Sequence, residues 1–266
     1  MFSSLDDITV LRSAAFWGGL LLFLMLERVR PYRVPTVPKG SRWAANILIA
    51  VFNGLVVRVF FGAAIVSAAT HAELNQAGLL HVLGVTGLPR IILTVLAMDA
   101  ITYVWHAANH RIRVLWRFHR VHHCDLNMDV STASRFHIGE VALAGCLKLA
   151  CIVSLGLDLI GLAVFETFLM TAAQFHHSSI RISPAFERLY ILFGVPPSMH
   201  RIHHSVVITE HDSNYGTIVS WWDRFFGTFR YDVPQERITI GMGAYRNFSE
   251  LGFLKLLRMP FSKAVR

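Results

Sequence analysis

Twelve of the chain's 14 histidines fall between His106 and His211. His106 and His110 are four residues apart, which puts both imidazoles on one helix face. His119, His122 and His123 form an H-x-x-H-H figure, and His200, His203 and His204 repeat it 81 residues later. Between them stand His137 and the pair His176-His177. Imidazole is a common ligand for iron, zinc and copper. Helix-borne pairs at these spacings are how bundles build metal sites from facing helices. So many imidazoles exceed what one tetrahedral zinc uses, and two metals are the natural fit. There is no H-E-x-x-H motif of the kind zinc proteases carry. His211 has no spacing partner and is read as a non-ligand; His137 and His176 can each be a ligand or not. Cys124, Cys146 and Cys151 offer no C-x-x-C and read as small apolar residues.

Those histidines need elements to hold them. Of the 266 residues, 54% are apolar and only 16% charged, with mean hydropathy +0.47. Soluble domains run at roughly 45–50% and 25%, so disorder and coiled coil are excluded and a membrane protein comes first. The net charge of +8 could suit nucleic acid or an anionic membrane. The hydropathy selects the membrane, and no nucleic-acid partner is expected. Ser13–Leu26, extended back through Ile8–Leu11, predicts a first transmembrane helix. A basic loop with Arg28, Arg30, Arg33, Lys39 and Arg42 follows, and the positive-inside rule places it in the cytoplasm. Ala44–Thr70 predicts a second span, broken by Arg58, and Leu88–Trp105 a third. Val141–Ala173 predicts two short helices around Asp158, a tight hairpin or a re-entrant pair. This order puts 106–140 and everything after Phe175 on the cytoplasmic side.

The expected fold is an all-α polytopic membrane bundle, with four to five embedded helices and a cytoplasmic, histidine-rich helical cap. The expected division is 1–87 for the first helices and basic loop, 88–240 for the histidine region with hairpin 141–173, and 241–266 for a tail.

The histidine figures, in this order, resemble the fatty acid hydroxylase/sterol desaturase superfamily. Asp99-x-x-x-Tyr103-x-x-His106 is similar to its lead-in to the first box, and Leu115-Trp116-x-x-His119-x-x-His122-His123 to its second. Arg135-Phe136-His137-Ile138-Gly139-Glu140 resembles R-x-H-P-x-E, with Ile138 in place of proline. Phe175-His176-His177-Ser178-Ser179 resembles F-x-H-x-N, with Ser179 in place of asparagine. Asn214-Tyr215-Gly216 and Trp222-Asp223-Arg224-Phe225-Phe226-Gly227-Thr228 resemble N-Y-G and W-D-x-x-F-G-T. The resemblance covers Met98 to Thr228.

It implies two non-haem irons on the cytoplasmic face, with O₂ as co-substrate, hydroxylating or desaturating an unactivated C–H bond of a lipid drawn from the bilayer. The implied ligands are His106, His110, His119, His122, His123, His177, His200, His203 and His204, with His137 as a tenth. Asp99, Glu140, Asp212 and Asp223 are candidates to accept a ligand's second N–H; an ion pair or a helix cap is the other use of each. Asn214 joins them, in a turn where Gly216 supplies unusual backbone geometry. Tyr103, Trp105, Trp116, Trp221 and Trp222 are read as interface anchors. No haem or dinucleotide motif is visible, so a separate electron donor, ferredoxin or cytochrome b5-like, is expected on the basic face. The compact chain favours a bacterial inner membrane over endoplasmic reticulum. The competing classes are a membrane metal-binding or transport protein, and a zinc hydrolase using the same histidines.

Overall fold

The computed structural model describes residues 5–263, with no β-strand among them. The first four and last three residues, parts of the expected N-terminal unit and tail, lie outside the described residues. The helices are α1 (Leu5–Val29), α2 (Lys39–Val57), α3 (Ala63–Leu74), α4 (Leu79–Val82), α5 (Gly87–Arg111), α6 (Arg113–His123), α7 (Ile138–Leu155), α8 (Leu159–His177), α9 (Pro184–Tyr190), α10 (Pro197–His203), α11 (Ile208–His211), α12 (Trp221–Phe225) and α13 (Phe253–Arg258). Four stretches are long and apolar enough to cross a membrane: 39–82, 87–111, 138–155 and 159–177. α1, at 25 residues, has the length for a fifth.

The runs read from hydropathy are extended at both ends. The second continues without a break from Lys39 to Leu74, because the chain passes Arg58–Gly62 as one π-helical turn instead of ending there. A π turn absorbs one extra residue and is how a helix accommodates a local mismatch. The hairpin helices are 18 and 19 residues long, longer than the expected pair. Gly156 ends α7 in the left-handed region, at φ 67°. A side chain there would also strike the Ala77 carbonyl oxygen at 2.6 Å. Asp158 starts α8 by accepting the Gly161 N–H at 2.7 Å.

The chain direction is fixed by contacts at both ends of the bundle. Arg90, early in α5, donates to the Gly156 carbonyl at the hairpin tip, whereas α5 finishes among the histidines. α1 runs beside α8 in the same direction, with Gln174 donating to the Phe16 carbonyl at 2.9 Å and Arg12 paired with Glu166. α1, α5 and α8 therefore run toward the histidine end, while α2, α3 and α7 run away from it. Glu166 also pairs with Lys148 of α7, so two cations share one carboxylate deep in the apolar region.

Short helices and loops cover the histidine end. Arg42 of the basic loop is a core residue, and so are two further arginines: Arg42, Arg120 and Arg135 are fully or almost fully buried. Arg42 pairs with Asp125 at 2.8 Å and with Asp129. Arg135 donates to the Asn46 side-chain oxygen and the Val121 carbonyl. Arg120 holds the Met259 and Lys263 carbonyls, so the C-terminal segment closes over α6. There Leu256 and Met259 pack with Trp116 and Val121.

Candidate metal centre

α5 ends at the cap, so its last two turns carry His106 and His110 beyond the apolar span. α6 turns back and presents His119, His122 and His123, and α10 presents His200 and His203, with His204 capping its end. α8 delivers His177 on its final residue. Nine imidazoles converge in two groups. His106, His110, His119, His123 and His203 form one; His122, His177, His200 and His204 form the other. Within each, one ligand atom per residue lies within 4.8 Å of all the others. All but the half-buried His106 are buried.

The outward nitrogens fix which atom faces inward. His106 Nδ1 meets the Tyr215 carbonyl at 2.8 Å, His203 Nδ1 that of Ser213 at 2.7 Å, and His177 Nδ1 that of Ala173 at 2.7 Å. A carbonyl only accepts, so each Nδ1 carries the proton and each Nε2 presents a lone pair. His119 Nδ1 meets Glu140 Oε1 at 2.8 Å. The inward nitrogens crowd together: Nε2···Nε2 separations are 3.2 Å for His119–His123, 3.1 Å for His122–His177, 3.0 Å for His177–His200 and 3.2 Å for His200–His204. The inward Nε2 of His106, His110 and His203 are buried with no hydrogen-bond partner. Two lone pairs facing each other in a buried site are costly unless a shared cation lies between them. Nitrogens bound to one metal at roughly 2.1 Å stand about 3.0 Å apart at a right angle and about 3.4 Å at the tetrahedral angle. The observed spacings fall in that interval, so the donor set fits a metal in each group.

Burial pushes His122, His123, His200, His203 and His204 well below the ordinary histidine value, and the neighbouring imidazoles add to the effect. They are neutral near pH 7, the form that binds metal.

The remaining candidates separate. His137 is in neither group. Its Nδ1 accepts the Gly139 N–H at 2.9 Å, capping α7, and its Nε2 meets the Leu257 carbonyl at 3.1 Å. Glu140 reaches His119. Asp212 Oδ1 lies 3.6 Å from His110 Nδ1. Asp99, Asp223 and Asn214 spend their hydrogen bonds on groups other than histidine. Asp99 accepts from the Trp222 indole at 2.8 Å. Asp223 accepts the backbone N–H groups of Tyr215 and Gly216, so it shapes the loop whose carbonyl holds His106. Asn214 bonds the Met199 and Arg230 carbonyls. The turn does carry a positive φ, but at Asn214 (57°). Gly216 is required for another reason: a Cβ there would lie 2.7 Å from both Asp223 Oδ2 and the Val219 carbonyl.

Two readings change. Trp116 and Tyr103 are buried, not interface anchors; the Trp116 ring lies against His110, His123 and His211. His211, set aside on spacing, forms a third cluster with His110 and Asp212, its ring 4.4 Å from that of His123. The only sequence signal for it was the adjacent carboxylate. His176 is buried, with its ring 4.0 Å from that of His200, but belongs to neither group.

The fatty acid hydroxylase family pattern matches residues 91–228, the stretch that carries every histidine of both groups. The chain belongs to that family. Among curated proteins, it is 31% identical to the ornithine lipid hydroxylase OlsE of Rhizobium tropici, over 62% of this chain and 48% of that one. It is 25% identical to human alkylglycerol monooxygenase, over 55% and 32%, and 24% identical to human cholesterol 25-hydroxylase, over 54% and 52%. The chain thus spans about half or less of the length of these relatives. No solved structure matches it.

Proposed function

We propose that this family member is an oxidoreductase of the membrane that uses two non-haem irons, O₂ and external electrons to hydroxylate an unactivated C–H bond of a lipid. The observation that carries the reading is the pair of buried imidazole groups, lone pairs turned inward, at one end of an apolar bundle. Hydroxylation ranks above desaturation because the named relatives are hydroxylases and monooxygenases. Their names refer to an ornithine lipid, an alkylglycerol and cholesterol, so the shared substrate chemistry is a lipid.

His106, His110, His119, His123 and His203 would hold one iron, and His122, His177, His200 and His204 the other. Iron bound there would supply O₂ activation and removal of a hydrogen atom from the substrate. The protein's own tasks are positional. The Tyr215, Ser213 and Ala173 carbonyls and Glu140 fix ring orientation and keep Nε2 free. Trp116 and Tyr215 pack against the rings and exclude water. No side chain need act as a general acid or base. A transporter would spread its ligands along the membrane path, whereas these are gathered at one end. The histidine end would face the cytoplasm, where the basic surface receives an acidic electron donor of ferredoxin or cytochrome b5 type.

The decisive experiment measures metal content and the lipids of cells expressing the protein or its His203→Ala variant. Two irons per chain, and an O₂-dependent gain of one oxygen in a lipid that the variant loses, are expected. One zinc, or a product formed without O₂, overturns the reading.

A further inference from the structure

The segment after Phe175 reads from sequence as part of a water-facing cap, but one piece of it carries the wrong surface for water. Leu189, Leu192, Phe193, Trp221, Phe225 and Phe226 are all exposed, Phe225 at 79%. They form one unit. Ser220 donates its N–H to the Phe193 carbonyl and its hydroxyl to that of Ile191. The Trp221 indole donates to the Leu192 carbonyl, and Arg224 to that of Ile191. Three successive carbonyls at the exposed turn therefore have partners inside the protein. Hydrocarbon demands this of backbone and water does not.

Its height follows from α5. The Trp222 indole bonds Asp99, and the Phe226 ring stacks on Tyr103 at 5.1 Å. α5 has 25 residues, about 37 Å of helix, and the hydrocarbon core takes about 30 Å of it. Even if the whole surplus projects at the histidine end, the boundary lies near His106. Tyr103 is then about 5 Å and Asp99 about 10 Å inside it, and helix tilt only deepens both. Val104, on α5 beside Tyr103, is itself exposed, so the apolar patch continues the lipid-facing side of α5. The exposed charged residues of 180–194 and 217–229 are Arg181, Arg188 and Arg224, cations suited to lipid phosphate.

We infer that residues 189–193 and 221–226 form a monotopic insertion, seated among the acyl chains of the leaflet on the histidine side, with Arg181 and Arg188 at the phosphate level and Arg224 spent on the Ile191 carbonyl. The partner is the bilayer itself, and the inference stands whether or not the iron chemistry does.

The test uses the full chain in phosphatidylcholine vesicles, with Cys146 and Cys151 replaced by alanine. Spin labels are attached at Phe225→Cys, at Val104→Cys as the lipid-facing reference, and at Val34→Cys as the loop reference. Collision rates with O₂ and with water-soluble chromium oxalate are compared. The label at 225 should match the label at 104, open to O₂ and closed to the oxalate. Oxalate access equal to that at 34 overturns the proposal, and so does shielding from both probes, which would mean a protein covers the patch. If labelled chains misfold, chain-brominated phosphatidylcholine decides on the unlabelled protein. Its quenching of tryptophan should fall in the Trp221→Phe variant, and equal quenching overturns the insertion.

Discussion

Helix α6 is a shared wall between two buried polar clusters. On one side, Arg42 meets Asp125 and Asp129, and Arg135 joins them through Asn46, with Ser131 and Thr132 completing the cluster. On the other, His119, His122 and His123 face the remaining imidazoles. Both clusters are almost wholly out of water. In the first, two cations stand with two carboxylates, and donors face acceptors. In the second, Nε2 faces Nε2, and where a carbonyl or carboxylate holds Nδ1–H, as at His106, His119, His177 and His203, the inward nitrogen presents a lone pair. A buried cluster of complementary groups holds elements together, and one that leaves like atoms facing each other is shaped for something that binds between them.

Removing an imidazole should separate the clusters most sharply. His119→Ala takes a member from the five-histidine group and His204→Ala one from the four-histidine group. Each should lower metal affinity at its group by about 100-fold or more and abolish the oxygenated lipid, while helicity in detergent is retained. Metal analysis of each purified variant is the check, and full occupancy in both would break the comparison.

Acid separates the clusters without mutation. The five cap histidines have values held below 6.5 in the folded chain. Below pH 6.5 the unfolded chain therefore binds more protons than the folded one, and stability falls as pH falls. Asp125 behaves otherwise. Burial alone would raise its carboxyl, but Arg42, Arg135, Asn46 and Thr132 together hold it below 3.8. Its contribution is present above that value and lost only as pH falls below it. Thermal unfolding of the metal-free protein between pH 7.5 and 5.5 should thus drop steeply; bound metal, which also keeps protons off these nitrogens, should raise the midpoint at each pH without flattening the slope. A metal-free midpoint unchanged over this range would contradict the histidine assignment.

Substituting within the ion-paired cluster should move stability and leave the metal alone. Asp125→Ala leaves buried Arg42 with Asp129 as its one remaining carboxylate, a loss of about 3–5 kcal/mol. Calorimetry should register it, while metal bound per folded molecule stays at the wild-type value. Glu140 lies between the two behaviours, because it is a carboxylate that orients an imidazole. Glu140→Gln should lower metal affinity by about 10–100-fold with little change in the unfolding midpoint, as measured by competition with a chelator.

How far each cluster could be read from sequence follows the same division. The histidine figures are local patterns: spacings of three and four fix a helix face, so eight of the nine convergent residues were legible before any fold, and His177 only through the resemblance of Phe175–Ser179 to F-x-H-x-N. The partners that orient them were not. Tyr215, Ser213 and Ala173 act through backbone carbonyls, which no residue type announces. Asp99 and Asp223 have the right chemistry but spend it on Trp222 and on backbone N–H groups. Arg42 reads from sequence as a topology marker, and nothing in the sequence sets Arg120 or Arg135 apart as core residues. Their burial depends on partners 83 to 143 residues away or on short-range carbonyls, which a charge count does not contain. The apolar runs located the spans, but the π turn at Arg58–Gly62 and the full reach of α2 through α3 have no periodic signature.

His137 gives the finest test, because its type places it in one cluster and its contacts in neither. Both ring nitrogens are engaged, one with Gly139 N–H and one with the Leu257 carbonyl. The first bond requires Nδ1 as acceptor and the second Nε2–H as donor, which is one neutral tautomer serving both. Burial lowers its value, and the Leu257 carbonyl and Glu140 oppose this. The side chain is therefore a helix cap joined to the C-terminal segment. His137→Ala should cost about 1 kcal/mol and loosen residues 253–261, seen as faster amide exchange there. His137→Asn, which keeps a capping oxygen, should recover most of the loss. Metal content should be unchanged in both. Loss of a metal in the alanine variant, without rescue by asparagine, would move His137 into the centre and raise the count of converging imidazoles from nine to ten.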